Sequence, residues 1–243
     1  MPSRDAQRLA EHTGCMLHEA VSILDAIPEW DEAVSTLEAV MNSRRRLYDQ
    51  NLLAVWGQFA ASEQSDALDV TQTIDFLTAI GVNLESPLVL CIAYELQAPA
   101  IGTILRQPFV DGWARLEAAS LAEMKQCVSL LNVEFQKYKY FREVYHHTFE
   151  LNLEKDAKSI PKDIAMAYWE VLLLPRYTNI IKYWFEFLNE EQISRDTWNM
   201  LLEFCEYQMQ SDPTLAQYDE SSSWPVVIDD FVEFLRKSSF LLS

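Results

Sequence analysis

The chain has 243 residues, of which 49% are hydrophobic and only 5 are glycine, a composition that argues against extended disorder and favours helices over strands. Lys and Arg total 19 against 37 Asp and Glu, so the formal net charge is -18. Such a charge repels a phosphate backbone and argues against a nucleic-acid partner, whereas it suits a basic protein surface or serves solubility alone.

The four cysteines, Cys15, Cys91, Cys127 and Cys205, lie far apart and have no second cysteine or histidine at metal-ligand spacing. This pattern is typical of reduced, mostly buried thiols. The first residues lack the apolar stretch of a signal peptide, and no run approaches the roughly 18 apolar residues of a membrane span. We expect a protein of the cytosol and nucleus, with no membrane partner, no metal site and no cofactor. The oligomeric state stays open, although nothing in the sequence demands more than a monomer.

Residues 5–42 are predicted to form a small helical unit of their own. Their apolar positions fit three short helices, interrupted at Gly14 and at Ile27-Pro28. A basic segment, residues 44–46, follows and is predicted to mark the boundary to a second, larger domain.

The larger domain is predicted to contain about nine helices. The first begins near Tyr48, where five apolar residues recur at helical spacing: Tyr48, Leu52, Val55, Trp56 and Phe59. Gly81 can end a short helix in the left-handed conformation, and Ser86-Pro87 can begin the next. Ser120 and Glu123 form a capping-box pattern ahead of a long helix.

Some segments invite a chemical interpretation, and each has a simpler structural one. Residues 62–73 have the outline of an EF-hand loop but lack its glycine and final glutamate, which favours a metal-free helix-loop-helix. His146 and His147 are adjacent, so on a helix they point about 100° apart and do not match a metal or acid-base spacing. Asp229-Asp230 is more often a solvated face than a hydrolase site. A Cys/His nucleophile pair stays open, although no catalytic motif supports an enzyme.

The stretch YDESSSWPVVIDDF, residues 218–231, combines an acidic cluster, a Trp-Pro pair and an apolar run. A helix that starts near residues 223–225 would place its apolar residues on one face and Asp229 on the other. Asp196 follows the predicted cap Ser194 in the first turn of the preceding helix, where the dipole favours a carboxylate. If the two helix starts are neighbours, Asp196, Ser223 and Asp229 form an acidic patch; alternatively, Asp196 only stabilises its own helix.

Three segments, AMAYWEVLL, ISRDTWNMLLEF and YDESSSWPVVIDDFVEF, resemble the potentiating-neddylation (PONY) domain of the defective-in-cullin-neddylation family, over residues 45–238. The resemblance implies an all-α fold with metal-free EF-hand-like helix-loop-helix units. It also implies a non-catalytic accessory ligase, a scaffold that holds a cullin and the charged neddylation conjugating enzyme together. The thioester would be carried by the conjugating enzyme, and the scaffold would contribute orientation.

The same resemblance assigns a cullin-binding patch. The family's Asp, Ala and Asp correspond here to Asp196, Ser223 and Asp229, which would face basic groups on the carboxyl-terminal winged-helix domain of a cullin. Serine in place of alanine is a departure. It is small enough to keep the surface accessible, but its hydroxyl can instead cap the helix.

A second implied site is an apolar pocket for the acetylated amino-terminal methionine of the conjugating enzyme. The implied lining positions are Phe76, Ile80, Val89, Ile92, Ala93, Leu96, Leu151 and Val171. The spacing within residues 89–96 is equally that of a buried core face. Thr73 is polar where an aliphatic residue is common in the family, and Leu151 stands where an aromatic residue occurs. Acetylation matters because a free ammonium is costly to bury.

Within residues 5–42, AVSIL, Trp30 and EAVSTL resemble a ubiquitin-associated (UBA) three-helix domain, with an extra residue between Leu24 and Trp30. Ubiquitin binding and simple structural capping are both open for this UBA-like unit. The resulting alternative function is a ubiquitin-binding adaptor that acts through these residues.

Overall fold

A computed structural model of the protein describes residues 4–13, 15, 17–62, 64–212, 214–219 and 224–238. These residues form twelve helices and four short strands, which confirms the predicted all-α fold class. The helices are α1 (Arg4–Thr13), α2 (Leu17–Ala26), α3 (Trp30–Phe59), α4 (Val70–Ala79), α5 (Leu88–Glu95), α6 (Arg106–Arg115), α7 (Leu121–Phe135), α8 (Tyr138–Leu151), α9 (Lys162–Leu172), α10 (Thr178–Phe187), α11 (Arg195–Gln210) and α12 (Val226–Lys237). Within the described ranges, no helix combines the length and the apolar character needed to cross a bilayer.

The amino-terminal part differs from the sequence expectation in its third helix. Helices α1 and α2 pack on the first half of α3 around a small core that includes Leu9, Ala20 and Leu37. Helix α3 was expected to be short, but it continues through residues 44–46 and ends at Phe59. No glycine or proline interrupts the chain between Trp30 and Gly57, so no residue favours an end to the helix there. The division into units at 5–42 and 45–238, and the UBA likeness, stay predictions.

Four short strands connect the remaining helices in two pairs. Strand β1 (Ala67–Leu68) pairs antiparallel with β2 (Ile104–Leu105), and β3 (Ser159–Pro161) pairs antiparallel with β4 (Gln192–Ser194). Each strand lies in the loop between two helices, so each small sheet joins two helix-loop-helix units. This is the EF-hand-like arrangement, and it brings residues about 35 positions apart in the chain side by side.

Buried aromatic side chains fix the beginning of α11. The rings of Tyr145 and Trp198 stack with centroids 4.6 Å apart, and Trp169 stacks on Trp198 at 5.4 Å. The indole N–H of Trp169 donates to the Tyr145 hydroxyl at 2.9 Å, and that hydroxyl donates to the Trp198 carbonyl at 2.7 Å. These contacts join α8, α9 and α11 into one core, since buried polar groups that are all paired favour a single arrangement.

Candidate protein-binding sites

Asp196 lies in the first turn of α11 and is exposed to solvent. The Ser194 side chain caps this helix by accepting a hydrogen bond from the Thr197 N–H at 3.0 Å. Trp198, two residues after Asp196, is fully buried in the aromatic network. The carboxylate of Asp196 therefore projects from a helix start that is firmly held, close to the positive end of the helix dipole.

Asp229 lies in the first turn of α12 and is half-buried. Its Oδ1 accepts a 2.6 Å hydrogen bond from the hydroxyl of Tyr218, which is itself buried. The Tyr218 ring stacks on Trp224 with centroids 6.3 Å apart. The Tyr218 side chain thus holds one oxygen of this carboxylate in place.

Helices α11 and α12 pack against each other, so both predicted carboxylates belong to the first turns of neighbouring helices. The contact runs through Phe204, whose ring centroid is 5.8 Å from those of both Trp224 and Phe231. That the two carboxylates form one surface stays a prediction, and we refer to Asp196 and Asp229 together as the acidic patch. Ser223, the third predicted member, lies outside the described residues. Sequence reasoning missed Tyr218, because 11 positions separate it from Asp229 and no helical periodicity relates the two.

An apolar cavity of about 230 Å³ lies between α4, α5 and the turn that leads into β2. Its wall is formed by Val70, Thr73, Ile74, Leu77, Leu84, Val89, Ile92, Ala93, Ala98, Ala100, Ile101, Gly102, Thr103 and Ile104. Four of these, Val70, Ile74, Leu84 and Ile101, are large apolar residues that are also exposed. The cavity therefore opens onto an apolar rim, a combination that marks a site of protein or ligand binding.

Gly102 allows the turn before β2 to approach α4 closely. Its φ is +77°, a conformation that side-chain-bearing residues rarely adopt, and a Cβ there would lie 3.0 Å from a methyl carbon of Val70. The pairing of β1 with β2 then holds this turn beside α4. Residues 98–104 were missed as part of the cavity because strand pairing, not helical periodicity, brings them there.

The eight positions predicted for the pocket are distributed over four places. Val89, Ile92 and Ala93 line the cavity. Phe76, Ile80 and Leu96 are fully buried in the core shared with α3 and α6. Leu151 is buried in the separate core of α8 to α12, and Val171 is exposed on α9.

Helical geometry explains this distribution on α4. Thr73 and Leu77 are four residues apart and face the cavity, whereas Phe76 and Ile80 form a different face of the same helix. The Phe76 ring packs against Phe109 of α6, with centroids 5.2 Å apart. A helix with apolar residues on two faces can serve a cavity and a core at the same time, and the sequence alone does not separate the two.

A buried carboxylate fixes the helix that forms one wall of the cavity. Glu95, at the end of α5, accepts hydrogen bonds from Arg115 of α6 at 3.0 Å and from the hydroxyl of Tyr140 of α8 at 2.8 Å. Burial raises the pKa of Tyr140, so its hydroxyl keeps the proton that it donates. The pairing of Glu95 ties α5 to two neighbouring helices and keeps the cavity wall rigid.

The two histidines lie against aromatic rings, and Cys91 and Cys205 are buried thiols. His147 packs edge-on against Tyr94 with centroids 5.6 Å apart, while His146 lies beside Tyr145. Burial raises the pKa of Cys91 to about 12 and also raises the pKa of Cys205. These thiols are therefore protonated at neutral pH, the opposite of what thiolate chemistry needs.

Comparison with known proteins relates this chain to a protein family. The cullin-binding family model matches residues 123–234, which include both carboxylates of the acidic patch. The chain is 40% identical over 183 residues to "Defective in cullin neddylation protein 1" of Yarrowia lipolytica, an alignment that covers 71% of this chain and 73% of that protein. It is 29% identical over 200 residues to the protein of the same name from Saccharomyces cerevisiae, covering 78% and 73% respectively.

A vertebrate relative shows a similar level of identity over a shorter span. "DCN1-like protein 3" of Xenopus laevis is 34% identical over 154 residues, which are 60% of this chain and 50% of that protein. The resemblance predicted from the WPVVIDDF and RDTW segments is thereby confirmed. The chain belongs to the defective-in-cullin-neddylation family.

Proposed function

We propose that this protein is a non-catalytic scaffold that promotes cullin neddylation. It binds a cullin through the acidic patch and the neddylation conjugating enzyme through the apolar cavity. The observation that carries the proposal is the cullin-binding family match over residues 123–234, which contains the two helix starts with Asp196 and Asp229.

The acidic patch suits a basic partner such as the winged-helix domain of a cullin. Asp196 is exposed at the positive end of α11, so its charge is accessible while its helix stabilises it. The net charge of -18 adds a long-range attraction toward a basic surface. In this proposal the carboxylates contribute steering and register, and the surrounding contacts contribute most of the affinity.

The apolar cavity suits an uncharged amino terminus that inserts one side chain. Its volume of about 230 Å³ exceeds that of the ~150 Å³ engineered cavity that binds benzene. An ammonium group buried in such a wall would lose its hydration without a partner, so acetylation of the terminus favours binding. The exposed apolar rim offers contacts for the residues that follow.

A reconstituted transfer reaction tests the scaffold proposal. The rate of single-turnover transfer from loaded conjugating enzyme to a cullin is measured with and without the protein, and we expect a clear acceleration. Variants that combine alanine at the four cysteines and remain folded should accelerate transfer equally, because orientation needs no thiol from the scaffold. An unchanged transfer rate in the presence of folded parent protein would contradict the proposal.

A second candidate function is ubiquitin binding by the amino-terminal unit. The observation in its favour is that α1, α2 and the first half of α3 enclose a hydrophobic core of their own, distinct from the other two clusters. Deletion of residues 1–42 separates the candidates. Under the scaffold proposal the shortened protein still accelerates transfer. Under the adaptor hypothesis the shortened protein loses ubiquitin binding, and transfer in the presence of the full chain does not depend on the acidic patch.

A further inference from the structure

Thr73 differs from four other helical threonines in the hydrogen bonding of its hydroxyl. Four threonines donate their side-chain hydroxyl to the carbonyl four residues earlier, each at 2.8 Å: Thr13, Thr78, Thr148 and Thr178. The Thr73 hydroxyl is buried and has no hydrogen-bond partner among the described residues. Such a group loses its hydration on folding without replacement, which makes it unfavourable unless a ligand supplies an acceptor.

Thr73 belongs to the deep part of the apolar cavity. It is 5% exposed, whereas Val70, one turn earlier on the same face of α4, is 57% exposed at the rim. The neighbouring deep residues are apolar, including Leu77, Ile92 and Ala98. A side chain inserted from the rim would therefore bring its far end nearest to Thr73, while the partner's backbone would lie nearer the rim.

We propose that Thr73 is a specificity-determining residue of the cavity, whose hydroxyl donates a hydrogen bond to an acceptor at the end of the inserted side chain. This inference rests on the proposed function, in which that side chain is methionine and the acceptor is the thioether sulfur. Threonine in a helix has two favoured positions about the Cα–Cβ bond, and in this proposal ligand binding selects the one that directs the hydroxyl toward the cavity. An unbranched hydrocarbon of the same length would fill the space but leave the hydroxyl unpaired.

The test uses the full chain and two amino-terminally acetylated peptides with the sequence of the conjugating enzyme's first residues. The peptides differ only at the first position, which is methionine or norleucine. Affinities are measured by calorimetric titration. We expect the parent to bind the methionine peptide about three- to fivefold more tightly, the range of a modest neutral hydrogen bond. Thr73→Val should bind both peptides equally, because the hydroxyl is replaced by a methyl group of similar size.

Two further variants control for changes in folding. Thr78→Val removes a hydroxyl from the same helix that already donates to the Ile74 carbonyl, and it should retain the preference for methionine. Thr73→Ser keeps the hydroxyl and should retain the preference as well. If Thr73→Val does not fold, Thr73→Ala replaces it in the comparison with Thr73→Ser.

The outcomes separate this inference from the proposed function. The inference is overturned if the parent and a folded variant without the Thr73 hydroxyl prefer the methionine peptide over the norleucine peptide to the same degree. That result leaves the conjugating-enzyme site intact. A uniform loss of affinity for both peptides also overturns it, since that result shows a structural role only. If the folded parent binds neither peptide, the conjugating-enzyme site itself is wrong and the inference falls with it.

Discussion

At the residue scale, the two carboxylates of the acidic patch have unequal roles. Asp196 is exposed, whereas Asp229 is half-buried and bonded to the Tyr218 hydroxyl at 2.6 Å. Replacing Asp229 by arginine would remove both a charge and a structural contact. A change of charge at Asp196 consequently disturbs fewer structural contacts than the same change at Asp229.

Asp196→Arg should weaken cullin binding by about tenfold or more, because an attractive charge becomes a repulsive one at the contact. Its stability should fall by less than about 1 kcal/mol, from the loss of a favourable helix-dipole interaction. The matched control is Asp163→Arg, which changes an exposed carboxylate in the first turn of α9. Calorimetric titration of a cullin winged-helix domain distinguishes the two variants, and equal affinities in both would place the cullin contact elsewhere.

Tyr218→Phe should loosen the second carboxylate without removing its charge. We expect the free energy of unfolding to fall by about 1.5 kcal/mol, since a hydrogen bond to a charged group is lost. Cullin affinity should fall about threefold because the Asp229 side chain must then be ordered on binding. Urea unfolding and titration measure the two effects, and Asp229→Asn, which keeps an acceptor oxygen, serves as the charge-only comparison. Unaltered cullin affinity in Tyr218→Phe would show that the position of this carboxylate is unimportant.

At the scale of elements, the position of α5 depends on its close approach to α6. Gly112 lies in α6, and a Cβ built there would be 2.6 Å from a methyl carbon of Leu96 and 2.8 Å from the Glu95 carbonyl oxygen. The same region contains the Glu95 pairs with Arg115 and Tyr140. A glycine in a helix interior is here explained by packing, because it lets the backbones of two helices meet behind the cavity wall.

Gly112→Ala should therefore destabilise the protein by about 1–3 kcal/mol through overpacking, although alanine is the better helix former. Gly57→Ala is the matched control, since nothing lies within 4 Å of a Cβ at that position of α3. It should stabilise by about 0.5–1 kcal/mol through helix propensity alone. Urea unfolding gives both values, and opposite signs are the expected result. Stabilisation by both substitutions would mean that α5 and α6 can move apart freely.

At the scale of the whole molecule, two half-buried histidines should make stability depend on pH. Burial lowers the pKa of His146 and of His147 below the ordinary value for histidine, and for His147 a hydrogen bond with the Ala93 backbone acts in the opposite direction. Above about pH 7.5 the imidazoles are almost entirely neutral in the folded and unfolded states alike. Below it the unfolded chain binds protons first, so the free energy of unfolding falls as the pH is lowered.

His147→Gln should reduce this dependence between about pH 7.5 and 5.5, because one of the two groups with a lowered pKa is gone. The urea midpoint of the parent is compared with that of the variant at several pH values in that window. Repulsion among the excess negative charges, which give a net charge of -18, also varies with pH. This contribution is nearly the same in parent and variant, so it cancels when their urea midpoints are subtracted. Identical pH slopes in parent and variant would remove His147 as a source of the effect.

The helices and their ends were largely predictable because they depend on neighbouring residues. Ser194 was expected to cap a helix and does so, and Asp196 was expected in its first turn. Gly81 was expected to adopt the left-handed conformation after a short helix, and its φ is +80°. The all-α class followed from composition, and the family followed from segments whose order and spacing are specific.

The cavity was only partly predictable because its wall has two origins. Val89, Ile92 and Ala93 follow one helical face and were expected, while residues 98–104 come from a turn held by the pairing of β1 with β2. The unbroken helix α3 was missed because the three arginines of residues 44–46 resemble a boundary but contain no helix breaker. Leu151 and Val171 were assigned by resemblance alone, and no local pattern placed them on the wall.

By itself, the sequence determined the helical class, the family, the location of Asp196 in a first turn and that of Asp229 on the face of a helix opposite its apolar residues. All of these depend on short-range patterns of residues. Only the tertiary structure decided that Tyr218 holds Asp229, that Thr73 lies unpaired in the cavity and that Gly112 lets two helices meet. The physical reason is the separation along the chain over which each interaction acts. Capping, periodicity and dipole effects act within a few residues, whereas hydrogen bonding across loops, strand pairing and close packing join residues that only the folded chain brings together.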